Sequence, residues 1–121
     1  MGGKAGLAVI TGASSGLGAE FARQLARRGF DLLLAARRLE RLETLQRELE
    51  LAHGVCVEPY CVDLADDAQT DDFARRIEGE ARVTLLVNNA GFGSTGWFHT
   101  TDYGRQVEMH QVHVIDRKSV V

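Results

Sequence analysis

The sequence predicts an α/β fold, a doubly wound parallel sheet with strands in the order 3-2-1-4, and three observations carry that prediction. Short apolar runs alternate with longer stretches of helical period. The first run, Leu7 to Thr11, passes through Gly12, Gly16 and Gly18 directly into the pattern Leu17, Phe21, Leu25, which reads as strand, glycine turn, helix. The third run contains Pro59, which cannot donate to a ladder and so belongs on a sheet edge. Alternation of this kind demands right-handed crossovers between parallel strands, and a third strand at the edge fits 3-2-1-4.

The elements follow in order. After the first helix, Arg27 and Arg28 make a basic last turn and Gly29 a left-handed cap, and Asp31 to Ala36 is a second buried strand. A charged helix comes next. Its inner face carries Leu39, Leu42, Leu45 and Leu49, its outer face Glu40, Arg41, Glu43, Arg47 and Glu48, and Gly54 ends it. Val55 to Val62 is the third strand. Ala65 to Ala81 carries Ala68, Phe73, Ala74 and Ile77 at helical spacing, with Asp66 and Asp67 favourable near its start. Val83 to Val87, apolar except for Thr84, has the pattern of a strand covered on both faces and ends in Asn88-Asn89-Ala90-Gly91. Phe92 to Thr101 reads as a loop, and a last helix is expected from Asp102 or Tyr103 to about Ile115.

Composition narrows the function. The 121 residues make one domain, and 45% hydrophobic content fills a core. A net charge of −3, with basic residues interleaved among acids, argues against a nucleic-acid surface. No apolar run approaches the ~20 residues of a membrane helix, and the start Met1 to Gly6 has neither a signal-peptide core nor a myristoylation pattern, so the expectation is a cytoplasmic protein. Cys56 and Cys61 lie five apart in one strand, on opposite faces, and read as small buried residues rather than a redox pair.

The glycine turn carries the chemistry. It aims free backbone N–H groups and the positive end of a helix dipole at one point, which suits a phosphate. Gly12 permits the tight turn, while Gly16 and Gly18 lack the Cβ that would hold a pyrophosphate or the neighbouring strand away.

Three separated signals then coincide: Thr11-Gly12-x-x-x-Gly16-x-Gly18, Asp63-Leu64 after the third strand, and Asn88-Asn89-Ala90-Gly91 after the fourth. Together they resemble the short-chain dehydrogenase/reductase family, over about Ala5 to Val114. The resemblance implies the N-terminal half of a Rossmann-type fold, spanning residues 1–115, in NAD(P)-dependent oxidoreductases that move a hydride between nicotinamide and a small alcohol or carbonyl substrate. It also implies that Gly12, Ser14, Ser15, Gly16, Leu17 and Gly18 surround the pyrophosphate and its ribose. By the same resemblance Asp63 and Leu64 border the adenine, Asn89, Ala90 and Gly91 line the cofactor's inner edge, and the complete form is a homo-oligomer.

The choice of cofactor follows from charge. An acid at the end of the second strand would bind the ribose 2′-OH and repel a 2′-phosphate. This strand ends Ala35-Ala36-Arg37-Arg38, and its only acid, Asp31, lies at the opposite end. Arg37, with help from Arg38, suits the phosphate of NADP better than NAD. The alternative, that both arginines are helix-surface charges, is disfavoured because basic residues oppose the dipole at a helix start.

The family's catalytic Tyr-x-x-x-Lys pair is absent. Tyr60 and Tyr103 are followed four residues later by Leu64 and Val107, and the only lysines are Lys4 and Lys118. The family's structural asparagine falls at His113, which shares a helical face with His110, but no third ligand makes a metal site. The chain therefore reads as a truncated, inactive half with no catalytic residue. Residues 116–121 break the apolar period, and a back-translation of them resembles a common sequencing-library adapter, so they read as a non-native tail. Two other readings stand beside it, a non-catalytic NAD(P)-sensing module and a damaged protein that binds nothing. The apolar fourth strand would be an open edge, and association of the isolated chain is expected.

Overall fold

The structure, a computed structural model, describes residues 5–14, 16–89, 104–107 and 112–115. The strands β1 (Leu7–Thr11), β2 (Asp31–Ala36), β3 (Val57–Cys61) and β4 (Val83–Asn88) alternate with α1 (Gly16–Arg27), α2 (Leu39–His53) and α3 (Asp67–Glu78). The pairs β1–β2, β1–β4 and β2–β3 are parallel, in the expected order 3-2-1-4. Pro59 sits opposite Leu34 on the outermost strand β3, where its missing N–H interrupts no second ladder.

Side-chain alternation along β1 and β2 builds two cores. Ala8, Ile10, Leu32 and Leu34 face Ala22 and Leu25 of α1 and Leu42, Leu45 and Leu49 of α2. Leu7, Val9, Leu33 and Ala35 face the other way, against Phe73 and Ile77 of α3 and Leu86 of β4. Every residue of β1 and β2 is buried, as a strand covered on both faces requires. Asp31 is buried with them, 2% exposed. Its carboxylate accepts from Arg82 Nη2 at 2.6 Å and from the Cys56 N–H at 2.8 Å, which ties the starts of β2, β3 and β4 at the end of the sheet away from the glycine turn. The pairing raises the Arg82 pKa above its ordinary value, chiefly through the hydrogen bond to Asp31.

Several expectations need correction. The region expected as a last helix instead contains β5 (Gly104–Val107) and β6 (Val112–Ile115). β6 pairs antiparallel with β4, Leu85 opposite Val114 and Val87 opposite Val112, and β5 pairs with β6. Unpaired N–H and C=O groups along β4 and the β-branched run Val112, Val114, Ile115 favour a ladder over the helical spacing read from sequence. The open edge is accordingly β5 and not β4, in the order β3-β2-β1-β4-β6-β5. His113 lies on a strand opposite Leu86, so the helical face it was expected to share with His110 does not form; His110 lies outside the described residues. Both cysteines are exposed rather than buried, because Cys56 precedes β3 and Cys61 ends it on the sheet's bare margin. The third helix and third strand are also shorter than expected, trimmed at both ends. The expected loop Phe92 to Thr101 and the tail 116–121 lie outside the described residues.

Candidate functional site

The C-terminal ends of β1, β2 and β3 open on a common cleft, and the local chemistry of each connection shapes it. After β1 the chain turns at Gly12, whose φ of 65° is left-handed backbone that a side chain would strain. The turn is held from two sides: the Ala13 N–H donates to the Ala35 carbonyl at 3.2 Å, and Asn89 Nδ2 donates to the Gly12 carbonyl at 3.1 Å. Gly18 serves a different purpose. A Cβ there would lie 2.2 Å from the Gly12 oxygen and 2.9 Å from Ala13 Cα, so only glycine lets α1 settle on the turn. A Cβ on Gly16 would meet nothing within 4 Å, which leaves open space where α1 begins.

β2 delivers Arg37 and Arg38 to the same end. Arg38 occupies the N-cap of α2 in extended conformation and makes no side-chain cap, so the first N–H groups of that helix are not satisfied by it. Arg41, read from sequence as an outer-face charge, lines the cleft as well. It stands one helical turn beyond Arg37 and Arg38, a spacing that could have revealed it. None of the three guanidinium groups has a carboxylate partner among the described residues.

The β3–α3 connection forms the third wall. Asp63 Oδ1 accepts from the Ala65 N–H at 3.0 Å and the Asp63 carbonyl from the Asp66 N–H at 3.1 Å. Among the described residues, the second Asp63 carboxylate oxygen and the Leu64 N–H have no partner, so an acceptor and a donor stand side by side on adjacent residues.

The cleft has a volume of about 590 Å³. Of the residues singled out by sequence it brings together Gly12, Ser14, Arg37, Arg38, Asp63 and Leu64. Gly16, Leu17 and Gly18 lie on the first turn of α1 and do not line it, and Asn89 acts through its bond to Gly12. Ser15, Ala90 and Gly91 lie outside the described residues. Groups of three or more His, Cys, Asp or Glu side chains able to hold a metal are absent among the described residues. No helix among them is long and apolar enough to cross a membrane.

A parallel sheet in the order 3-2-1-4, helices on both faces and a glycine turn at the carboxyl ends of the strands together define a Rossmann-type α/β protein. The chain belongs to the short chain dehydrogenase family, whose model matches residues 6–118. It is 46% identical over 84 residues to a very-long-chain 3-oxoacyl-CoA reductase of Vanderwaltozyma polyspora, covering 69% of this chain and 24% of that protein. An uncharacterized oxidoreductase of Myxococcus xanthus is 45% identical over 89 residues, covering 73% of this chain and 35% of that protein. Among solved structures, a short-chain dehydrogenase from Sphingobium yanoikuyae in complex with NADPH superposes with a TM-score of 0.69 at 44% identity, over 71% of this chain and 34% of that one. L-sorbose reductase from Gluconobacter frateurii, complexed with NADPH and L-sorbose, gives 0.66 at 31% identity, over 89% of this chain and 37% of that one. The chain thus spans about a quarter to a third of the length of these relatives.

Proposed function

We propose that this chain is the NADP-binding half of a short-chain oxidoreductase acting on a small carbonyl or alcohol. One observation carries the reading: the cleft sets three guanidinium groups and a donor–acceptor pair, all without partners among the described residues, beside a glycine turn. These groups fit the parts of NADP. Arg37 and Arg38 hold the 2′-phosphate by charge-assisted hydrogen bonds, and Arg41 adds a third positive charge. Gly12, Ser14, Ser15, Gly16, Leu17 and Gly18 receive the pyrophosphate and its ribose. The second carboxylate oxygen of Asp63 accepts from the adenine amino group, and the Leu64 N–H donates to the ring. Asn89, Ala90 and Gly91 border the inner end. NADP supplies the hydride chemistry when bound; these residues only bind and orient it.

The NADPH carried by the Sphingobium yanoikuyae enzyme and the Gluconobacter frateurii reductase supports the cofactor assignment. So does the absence of any acid from the cleft end of β2. Residues 1–115 form the cofactor domain, 116–121 a foreign tail, and the chain as written lacks turnover because no Tyr-x-x-x-Lys pair occurs in it. The same absence favours the second reading, a non-catalytic module that reports NAD(P) state. We place the protein in the cytoplasm and its complete form in a homo-oligomer. Titration of the chain with NADPH and NADH by calorimetry tests the reading: NADPH binds more tightly, and equal affinity or no binding overturns it.

A further inference from the structure

The first turn of α3 contains a hydrogen-bond arrangement that its own helix does not need. Asp66 caps α3, its Oδ1 accepting from the N–H groups of Ala68 at 2.9 Å and Gln69 at 3.2 Å. In an ordinary capping box the residue at the position of Gln69 reaches back to the N–H of the capping residue itself. Here it does not. The Asp66 N–H is already satisfied by the Asp63 carbonyl, and Gln69 Oε1 reaches past it to accept from the Asp63 N–H at 2.8 Å. Gln69 Nε2 is steadied in turn by Asp66 Oδ2 at 3.3 Å. Next to it, Thr70 Oγ1 shares its one hydroxyl hydrogen between the Leu64 carbonyl at 3.1 Å and the Asp66 carbonyl at 2.9 Å. The backbone of Asp63 and Leu64, the two residues of the third wall that carry the acceptor and the donor, is thus gripped by two neighbouring side chains of α3. Loops without such bracing are free to reorient, and donor–acceptor geometry is lost within tens of degrees.

We propose that Gln69, seconded by Thr70, is a positioning residue that presents the Asp63 carboxylate and the Leu64 N–H as a fixed acceptor–donor pair for the adenine ring. Gln69 is exposed on the α3 surface and does not line the cleft, so it acts only through Asp63. The inference rests on the reading of the cleft as an NADP site.

The recognition it supports is specific. Adenine offers an amino donor beside a ring acceptor; hypoxanthine offers a carbonyl beside a ring N–H and reverses the pattern. The test measures the affinity of the 121-residue chain for NADPH and for its hypoxanthine analogue, in the wild type and in Gln69→Met and Thr70→Val, with far-UV circular dichroism and thermal melts alongside. The wild type is expected to favour NADPH by about tenfold or more, since a hydrogen bond to a charged group is involved. Each variant is expected to lower that ratio by about threefold or more. The loss falls on NADPH, while the melting profile and the affinity for inorganic pyrophosphate stay those of the wild type. A merely structural role would weaken both dinucleotides alike and leave the ratio untouched, and that result in both variants overturns the inference. If the wild type binds neither dinucleotide, the NADP reading fails and the inference with it; binding with full selectivity in both variants removes the inference alone.

Discussion

Gly16 and Gly18 belong to one motif, yet the structure separates them by cause. In Gly18→Ala the new methyl would sit 2.2 Å from the Gly12 oxygen, with Gly12 C and Ala13 Cα both at 2.9 Å. That is roughly 1 Å short of an ordinary contact, and the obstructing atoms are backbone with no rotamer to yield. Overpacking costs about 1–3 kcal/mol, and a backbone clash belongs at the upper end, so a loss of about 3 kcal/mol is expected. For a domain of this size that lowers Tm by roughly 10 °C or more. In Gly16→Ala the methyl meets nothing within 4 Å, and alanine improves helix propensity by up to about 1 kcal/mol, so stability holds or rises. Gly16 does not itself line the cleft, but on the proposed reading the open space beside it admits the pyrophosphate, and there the methyl is expected to lower NADPH affinity by roughly tenfold or more. Urea denaturation and calorimetric titration of both variants separate the two causes. A Gly18→Ala protein as stable as the wild type, or a Gly16→Ala protein destabilised as much as Gly18→Ala, would refute the division of roles.

Further outcomes follow from other contacts. Arg37→Ala is expected to lower NADPH affinity roughly tenfold or more while NADH binding stays unchanged, as the loss of a charge-assisted phosphate contact requires; matched losses measured by titration would contradict it. Asp31→Ala strips Arg82 and the Cys56 N–H of a buried partner. It should destabilise the fold by about 1.5–3 kcal/mol in chemical denaturation without changing cofactor selectivity, because the clamp lies at the other end of the strands. Arg23 joins α1 to α2 through Glu48 at 2.7 Å, and that hydrogen bond holds Glu48 below its ordinary pKa of 4.5. A lowered folded pKa means stability that is present above pH 4.5 and lost as the pH falls through the folded value; both side chains are nearly half exposed, so Glu48→Gln should flatten the acid limb of a stability–pH curve by less than about 1 kcal/mol. No reduction of carbonyls by the chain with NADPH is expected in a spectrophotometric assay, for want of a positioned proton donor, and turnover surviving Tyr103→Phe and His113→Ala would overturn that account.

Local periodicity and turn chemistry determined the seven elements from Leu7 to Asn88, the edge character of β3 and the glycine turn, because each depends on residues close in sequence, while the parallel order followed from their alternation and the right-handed crossover rule. Apolar alternation along Leu7–Thr11 and Asp31–Ala36 already declares two covered faces, and Pro59 already declares an edge. What tertiary structure decided are matters of who meets whom across long separations. Asp31 looked like an acid at the wrong end of its strand, and only the approach of Arg82, fifty-one residues later, makes it a clamp. Cys56 and Cys61 looked buried by residue type, but the sheet's margin leaves them exposed. The β-branched run at Val112–Ile115 had helical spacing in isolation, and pairing with β4 made it a strand, since ladder hydrogen bonds to a waiting edge outweigh a weak local preference. Arg41 read as a surface charge and Gln69 gave no signal in the sequence; their places, one on the cleft and one behind its wall, exist only once β2, α2, β3 and α3 are assembled.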